Sequence, residues 1–192
     1  MYQTVKRLAR KGEEGRFWYG IAREAIRRGA DLYGQDFDVS CRVAATLSPR
    51  VSVRRNMRLL GMWMRNEPWP PDVYRSKRAL VELAVAGQVS GPKVTAFYKN
   101  LVGDENPIVL DVWMGVALLE RDQTWTARRR EAACGAIHRV ACEWGWTNAQ
   151  VQAACWCGQY TATRGKLPPT FTLDDITGKY KGQRHARGEG AA

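Results

Sequence analysis

A lysine and an aspartate that lie 18 residues apart are the side chains in this sequence best suited to chemistry. Lys93 follows the turn Val89-Ser90-Gly91, and Asp111 follows the apolar residues Ile108-Val109-Leu110. A lysine amine can attack an electrophilic sugar carbon, and a neighbouring carboxylate can stabilise the cation that forms there. If the fold brings the two side chains to one cleft, they form a candidate catalytic pair.

The turn before Lys93 is typical of a loop that binds phosphate. A glycine-containing turn between two helices exposes successive backbone N–H groups, which hold a phosphate without reading the base sequence. We therefore predict that Val89, Ser90 and Gly91 contact a DNA backbone. Lys93 falls in the first turn of the helix that starts at Pro92, where a cation opposes the helix dipole. This position favours a functional role for the lysine over a helix-stabilising one.

The chain is strongly basic, with 30 Lys and Arg against 19 Asp and Glu and a formal net charge of +11 in 192 residues. The excess is spread through the body of the chain, as in Arg54-Arg55 and Arg128-Arg129-Arg130. This distribution favours a polyanionic partner, and we predict that the partner is double-stranded DNA. Arginines that only solvate helix faces are the structural alternative, but solubility alone needs a smaller net charge.

The sequence indicates neither a membrane span nor a secretory signal peptide. Its apolar runs are shorter than the ~18 residues of a spanning helix, and Met1–Lys6 lacks the apolar stretch of a signal. We expect a cytoplasmic, monomeric protein that needs no cofactor. The five cysteines are an odd number with spacings that match no common zinc or iron–sulfur pattern. Free thiols and no metal site are therefore expected.

Glycine and proline divide the chain into segments with helical rather than alternating periodicity. Ser52, Thr126 and Thr147 are suited to cap the helices that follow them, Thr147 within a Thr-x-x-Gln capping box. The predicted helices cover residues 17–33, 37–47, 53–65, 72–86, 92–101, 108–119, 127–144 and 148–156. We predict an all-α fold, a compact multi-helix domain over residues 1–177. Residues 178–192 lack an apolar period and are expected to form a basic, disordered tail.

Apolar residues at helical spacing also predict which helix faces are buried. The first predicted helix is expected to bury one face that holds Phe17, Ile21, Ala25 and Leu32, with Trp18 and Ala22 alongside. The helix predicted over residues 72–86 is expected to bury Val73, Leu80, Val81, Leu83 and Ala84.

The stretch around Lys93 and Asp111 resembles the signature of the helix-hairpin-helix DNA glycosylase superfamily. That signature is a glycine-rich hairpin, a lysine in the bifunctional members, and an aspartate after the next turn that follows apolar residues. The matching stretches are Gly91-Pro92-Lys93-Val94-Thr95-Ala96 and Ile108-Val109-Leu110-Asp111, at the family's lysine-to-aspartate spacing. A second stretch, Ala45–Asn56, is similar to the family's helix-break-helix segment. Short phage-encoded members of this fold are also similar to the chain.

The resemblance implies a glycosylase-like helical fold that contains a helix-hairpin-helix motif. It also implies that the second stretch inserts a wedge into the DNA stack and lines the base pocket. The residues of this stretch expected to contact DNA are Ser48, Arg50, Arg54, Arg55 and Asn56. Two positions depart from the family's pattern, because Val89 replaces the first glycine of the hairpin and Arg50 stands where a glutamine is usual.

The resemblance further implies a reaction at a flipped nucleotide, because a base must leave the DNA stack before its glycosidic bond can be reached. Lys93 would attack C1′ of the sugar and form a Schiff base, which permits strand cleavage by elimination. Asp111 would stabilise the cationic sugar or activate the amine, and it is also suited to cap the helix that follows it. Trp113 would stack on the flipped base, although such a tryptophan more often belongs to the core.

Three functions are compatible with the sequence. The first is a DNA glycosylase with AP-lyase activity, a hydrolase of the DNA repair class. The second is a transferase that acts on hypermodified pyrimidines in phage DNA, and the altered residue Arg50 is the reason to consider it. The third is a non-catalytic DNA-binding module, suggested by the incomplete hairpin at Val89. His138 and His185 have no serine or cysteine partner that the sequence identifies, so a catalytic triad is not predicted.

Overall fold

The computed structural model describes residues 1–73, 75–119 and 124–179, and across these ranges the chain is all-helical without a β-strand. A short 3-10 helix, Glu13–Phe17, follows the first α-helix. The α-helices of the described ranges are α1 Tyr2–Lys11, α2 Trp18–Tyr33, α3 Phe37–Leu47, α4 Val53–Met64, α5 Arg75–Val85, α6 Pro92–Val102, α7 Val112–Leu118, α8 Ala127–Trp144, α9 Asn148–Arg164 and α10 Leu173–Thr177. The predicted all-α class is confirmed. The tail predicted over residues 178–192 lies outside the described ranges from residue 180 onward.

Side-chain caps explain where several helices begin. The Ser52 hydroxyl accepts the Arg55 N–H at 3.3 Å at the start of α4, and Thr126 caps α8 in the same way. Thr147 and Gln150 form the predicted capping box at the start of α9. Each cap satisfies a backbone donor that the first helical turn leaves without a partner. The predicted starts of these helices are therefore confirmed, as are those of α3 and α6.

Helix α7 begins later than predicted. A helix was expected over residues 108–119, but α7 starts at Val112. Asp111 has extended backbone, with φ −96° and ψ −172°, and its carboxylate accepts the Met114 N–H at 2.9 Å. An N-cap residue has a non-helical backbone conformation, so the helix begins at the residue that follows Asp111. The predicted start was wrong, and the predicted capping role of Asp111 is confirmed.

The apolar face predicted for the first helix is only partly buried. Trp18, Ala22 and Ala25 are buried as predicted, whereas Ile21 and Leu32 of α2 and Phe17, the last residue of the 3-10 helix, are exposed. Tyr19, which was not predicted, is also buried. The Trp18 indole N–H donates to the Pro169 carbonyl, and the Tyr19 hydroxyl donates to the side-chain oxygen of Gln152. Both aromatic residues can therefore bury large rings without leaving a polar atom unsatisfied, which periodicity alone does not reveal.

Helix α5 is shorter than predicted and buries only part of the predicted apolar set. The Val73 N–H donates to the Pro70 carbonyl at 3.0 Å, so a turn occupies the segment where the first helical turn was expected. Val73, Val81 and Ala84 are buried as predicted, whereas Leu80 and Leu83 are exposed.

The chain divides into two compact units, which are described separately. Unit 1 comprises residues 1–23 and 90–169, and unit 2 comprises residues 24–89 and the residues from 170 onward. In unit 1, α1 packs against α8 and α9, and α9 also packs against α7. Helix α1, for which the sequence predicts no counterpart, buries apolar residues of this core. The core of unit 1 includes Val5, Leu8, Ala9, Leu110, Met114, Ala133, Ile137, Val140, Val151, Ala154 and Cys155.

Glycines allow the backbones of α1 and α9 to approach closely in unit 1. A Cβ atom on Gly158 would lie 2.1 Å from the carbonyl oxygen of Leu8. A Cβ atom on Gly12 would lie 2.2 Å from the carbonyl oxygen of Ala154 and 2.3 Å from the backbone nitrogen of Gly158. These distances are far below van der Waals contact, so only glycine fits at either position. The crossing holds α9 in the place from which its aromatic side chains face the candidate site.

Unit 2 contains α3, α4, α5 and α10. Helix α3 packs against α4 and α5, and α10 packs against α4. The contact with α10 depends on Gly61, because a Cβ atom there would lie 1.9 Å from the carbonyl oxygen of Ile176. The Arg65 guanidinium donates to the same carbonyl and pairs with Glu67 at 2.7 Å. The three guanidinium nitrogens of Arg65 all have partners, so this largely buried charge is not left unpaired.

Candidate functional site

Helix α6 positions Lys93 in its first turn. Gly91 is the N-cap residue and has a φ of 85°, a conformation that glycine adopts without strain. Its carbonyl accepts the Thr95 N–H at 3.0 Å, and Pro92 follows as the first helical residue. The half-buried Lys93 side chain passes along the helix so that Nζ lies 5.2 Å from the centre of the Phe97 ring.

Asp111 presents a carboxylate that burial makes unusually basic. Burial raises the pKa of this carboxyl above its ordinary value, although the Met114 N–H and the charge of Lys93 both act to lower it. The influence of Lys93 means that the ammonium and the carboxylate interact electrostatically within unit 1. The indole N–H of Trp125 donates to the Asp111 carbonyl at 3.2 Å and holds the backbone of this residue. Lys93 and Asp111 thus lie at the starts of α6 and α7 within the same unit.

The connection between α6 and Asp111 is anchored at its beginning by Arg23. The Arg23 guanidinium donates to the carbonyls of Asn100 and Leu101 at the end of α6 and pairs with Glu105 at 3.3 Å. A cation at this end of a helix is favourable, because the last carbonyls carry partial negative charge. Glu105 also accepts the Thr147 hydroxyl at 2.9 Å at the start of α9. These contacts hold the segment that carries Asp111 against two helix ends.

A group of buried aromatic side chains lies beside the lysine and aspartate. Tyr19 is buried, and its hydroxyl donates to the side-chain carbonyl of Gln152 at 2.7 Å. Burial raises the pKa of the Tyr19 phenol, and the negative charge of Asp111 raises it further. Trp18 and Phe97 pack on this phenol with ring-centre distances of 5.3 and 6.0 Å. The site therefore places a carboxylate near a neutral phenol and apolar ring surfaces.

Tyr19 and Gln152 are site residues that the sequence does not single out. A tyrosine next to a tryptophan in a helix is usually a core residue, and nothing in the local sequence connects Tyr19 with a glutamine 133 residues away. The only available signal was the polar hydroxyl on a predicted helix, which needs a partner when buried.

Trp113, the residue predicted to stack on a base, lies in the first turn of α7. Its ring centre is 5.2 Å from that of Tyr160 and 5.9 Å from the Arg164 guanidinium carbon. The Trp113 side chain is half-buried. Its ring therefore belongs to an aromatic row on α9 that also includes Trp156, 5.9 Å from Tyr160.

The turn predicted to bind phosphate is accessible to solvent. Ser90 and Gly91 are exposed and Val89 is half-buried. A Cβ atom on Gly91 would have no heavy atom within 4 Å, so the space in front of this backbone is open. The turn therefore leaves its backbone open to solvent, in a conformation at Gly91 that residues with a side chain rarely adopt.

The second predicted DNA-binding stretch lies in unit 2 and is divided between exposed and buried residues. Arg50, with a φ of 61°, and Arg54 are exposed. Arg55 is exposed and pairs with Asp72. Ser48 is the C-cap residue of α3, and its hydroxyl donates to the Ala45 carbonyl at 2.7 Å. The arginines are available to a polyanion, whereas Ser48 has a local structural role.

Asn56 is buried rather than presented to DNA. Only 3% of this residue is exposed, and its amide nitrogen donates to the Ala44 carbonyl at 3.1 Å. This hydrogen bond connects α4 to α3 across the non-helical segment that contains Ser48-Pro49.

We expect Asn56→Ala to lower the free energy of unfolding by about 1–3 kcal/mol, because the buried Ala44 carbonyl loses its donor. Urea denaturation measures this, with the exposed Arg54→Ala as the control that should change stability little; equal effects would contradict the structural role.

The five cysteines are free thiols, as the sequence predicted. No helix in the described ranges combines the length and apolar character needed to cross a membrane.

The described residues thus define an all-helical protein in which a lysine and a half-buried carboxylate lie beside an aromatic cluster. The chain belongs to a family of unknown function, DUF7178, whose model matches residues 3–165. No curated protein and no solved structure matches the chain. The match spans Lys93, Asp111 and Tyr19, so the candidate site lies within the region that defines the family.

Proposed function

We propose that this protein is a DNA glycosylase with AP-lyase activity, in which Lys93 is the nucleophile and Asp111 assists it. The observation that carries the proposal is that unit 1 holds Lys93, in the first turn of α6, and the half-buried Asp111, the N-cap of α7, so that the lysine charge acts to lower the pKa of that carboxyl. A lysine in the first turn of a helix, where its charge is unfavourable, and a carboxylate with a raised pKa are both costly to stability. Residues that are unfavourable for the fold and interact with one another are typical of a catalytic site.

The proposed reaction begins with a proton transfer from the Lys93 ammonium to the Asp111 carboxylate, which leaves Nζ with a free electron pair. Nζ attacks C1′ of a flipped nucleotide, and the bond between C1′ and the base breaks. The base leaves with the electrons of that bond and takes the proton that Asp111 had received. Nζ then carries two protons, and one of them moves to O4′ as the bond between C1′ and O4′ breaks, which leaves a protonated Schiff base. Loss of a proton from C2′ then expels the 3′-phosphate and cleaves the strand, and water releases Lys93.

The raised pKa of Asp111 supports its part in this reaction. A carboxylate that burial destabilises accepts a proton more readily than one in water. After the base leaves, the same group can stabilise the cation at C1′ when it is ionised. The Tyr19 phenol, kept neutral by burial and by Asp111, adds no charge that would compete for the cation.

We further propose that the turn Val89-Ser90-Gly91 and the start of α6 are the hairpin of a helix-hairpin-helix motif. The positive φ of Gly91 and the open space in front of it support this assignment. Backbone N–H groups in such a turn bind a phosphate of double-stranded DNA without base specificity. In unit 2, the exposed Arg50 and Arg54 are suited to contact further phosphates.

Covalent trapping tests the assignment of Lys93. Borohydride reduces a Schiff base to a stable amine, so the wild-type protein should form a covalent complex with duplex DNA that contains an abasic site. We expect Lys93→Ala to lose this complex to the background level, because no other group forms the imine. Lys99→Ala is the matched control, since it removes an exposed lysine from the same helix and the same charge from the protein. The control should trap as the wild type does.

The remaining functions correspond to other results of the same assay. Equal trapping by Lys93→Ala and the wild type would remove Lys93 from the mechanism. A transferase would leave a changed base rather than a lost one, which mass spectrometry of nucleosides from the incubated DNA detects. A binding module would show salt-sensitive binding that survives Asp111→Asn and no product on any substrate.

A further inference from the structure

A cysteine, a histidine and an asparagine form a hydrogen-bonded row on the surface of unit 1, away from any role in the proposed reaction. Cys142 and His138 lie one turn apart on α8, and the Cys142 sulfur is 3.6 Å from Nε2 of His138. Nδ1 of the same imidazole is 3.3 Å from Oδ1 of Asn148, the first residue of α9. Cys142 and His138 are both exposed, so small molecules in solution can reach the sulfur.

The hydrogen bonds among these three side chains determine which imidazole nitrogen of His138 carries the proton. The Asn148 amide nitrogen donates to the Asn106 carbonyl at 3.0 Å, and a backbone carbonyl can only accept. The amide oxygen of Asn148 therefore faces His138, and because that oxygen is also only an acceptor, Nδ1 of the imidazole must carry the proton. Nε2 is then left with a free electron pair directed at the thiol. The Cys142 S–H donates to it.

We propose that Cys142 is a nucleophilic thiol, activated by His138 and Asn148, that forms mixed disulfides with low-molecular-weight disulfides. The arrangement has the logic of cysteine nucleophiles in general, in which an adjacent base takes the thiol proton and a third group orients the base. The sequence analysis identified no cysteine partner for His138, and this was wrong, because Cys142 lies one turn further along the same helix. The orienting group, Asn148, comes from another helix. The proposal is independent of Lys93 and Asp111.

The other cysteines, all of which lie in the described part of the chain, are poorer nucleophiles. Burial raises the pKa of Cys155 and of Cys157 to about 12, and Cys41 is fully buried. Burial also raises the pKa of the half-buried Cys134, which lies on the same helix as Cys142. Cys134 is therefore a suitable internal reference for a thiol of α8 that burial makes less reactive.

The proposed step exchanges one disulfide bond for another. The Cys142 proton moves to Nε2 of His138, and the thiolate sulfur attacks one sulfur atom of the disulfide reagent. The S–S bond of the reagent breaks as a new S–S bond to Cys142 forms. The second half of the reagent leaves as a thiolate and takes the proton from the imidazolium. Cys142 is oxidised by the reagent, which is reduced to one thiol, and His138 returns to its original state.

The rate of modification by glutathione disulfide, followed on the full chain by intact mass and peptide mapping, tests the proposal. We expect Cys142 to be modified first. We expect His138→Ala to slow its modification by about tenfold, below the usual range for a base in an enclosed site because this site is open to water. Asn148→Ala should slow it less, since the imidazole keeps its place but loses the group that selects its tautomer.

The rate measured for His138→Ala distinguishes activation of the Cys142 thiol by His138 from reactivity that is due to solvent exposure alone. Alanine uncovers the sulfur, so a thiol that reacts only because it is exposed would react at the same rate or faster. Either result would overturn the proposal, as would modification of Cys134 before Cys142. Alanine is favourable in a helix and His138 is exposed, so we expect the variant to fold. A circular dichroism melt that matches the wild type shows that the rate change is local.

Discussion

Asn in place of Asp111 should nearly abolish Schiff-base formation and at the same time stabilise the fold at neutral pH. The activity loss follows because an amide neither accepts the lysine proton nor stabilises a cation at C1′, and a positioned acid–base group contributes about 10²–10⁴-fold. The fold gains because asparagine is an equally good N-cap and its side-chain oxygen can still accept the Met114 N–H. The variant thus removes a buried charge and keeps the cap.

The gain in stability should depend on pH in a defined direction. Because burial raises the pKa of Asp111 in the folded state, the folded protein holds this proton more tightly than the unfolded chain. The contribution of Asp111 to stability is therefore present at low pH and is lost as the pH rises through the folded-state pKa. The gain in stability from Asp111→Asn should accordingly be absent in acid and grow towards neutral pH. Loss of the attraction between Lys93 and the Asp111 carboxylate offsets part of this gain.

Thermal melts across this pH range, with trapping on abasic DNA in parallel, measure both effects. Asp36→Asn is the matched control, because Asp36 caps α3 with an exposed carboxylate that accepts the Val39 N–H at 2.8 Å. The control should stay within about 0.5 kcal/mol of the wild type, as surface changes usually do, and should trap normally. Wild-type trapping by Asp111→Asn would remove the carboxylate from the mechanism. A loss of stability at neutral pH would show that the attraction of Lys93 outweighs burial.

Alanine in place of Gly158 should destabilise the protein by at least about 3 kcal/mol, the upper end of the range for overpacking. The added Cβ would lie 2.1 Å from the Leu8 carbonyl oxygen, and the neighbour it meets is backbone rather than a side chain that can move. Helix α9 would have to move away from α1, which disrupts the core of unit 1. A loss of this size is a large part of the ~5–15 kcal/mol by which proteins are normally stable.

Gly135→Ala is the control for this prediction. Gly135 lies within α8, and a Cβ atom there would meet no heavy atom within 4 Å. The same substitution should therefore raise stability by about 0.5–1 kcal/mol, because alanine is a better helix former than glycine. Urea denaturation of the two variants should give changes of opposite sign. If Gly158→Ala were also stabilising, the close crossing of α1 and α9 would be refuted.

Local signals in the sequence predicted much of the helical framework. Ser52, Thr126 and Thr147 each cap a helix through a bond to a residue three positions ahead, so the start of the helix depends on adjacent residues alone. Gly91 and Pro92 define the start of α6 for the same reason, and this placed Lys93 in a first helical turn. The start of α7 was missed because the apolar residues 108–110 continue the helical period, although the capping role of Asp111 was read correctly.

The tertiary structure alone decided what surrounds these residues. Tyr19 meets Gln152, which is 133 residues away, and His138 on α8 meets Asn148 on the next helix, α9. The burial that raises the pKa of Asp111 likewise depends on the packing of several helices. Helical periodicity states which residues share a face but not which face is covered, as the exposed Phe17 shows. Capping energies are local and readable in sequence, whereas burial and electrostatics sum contributions from the whole of a packed unit.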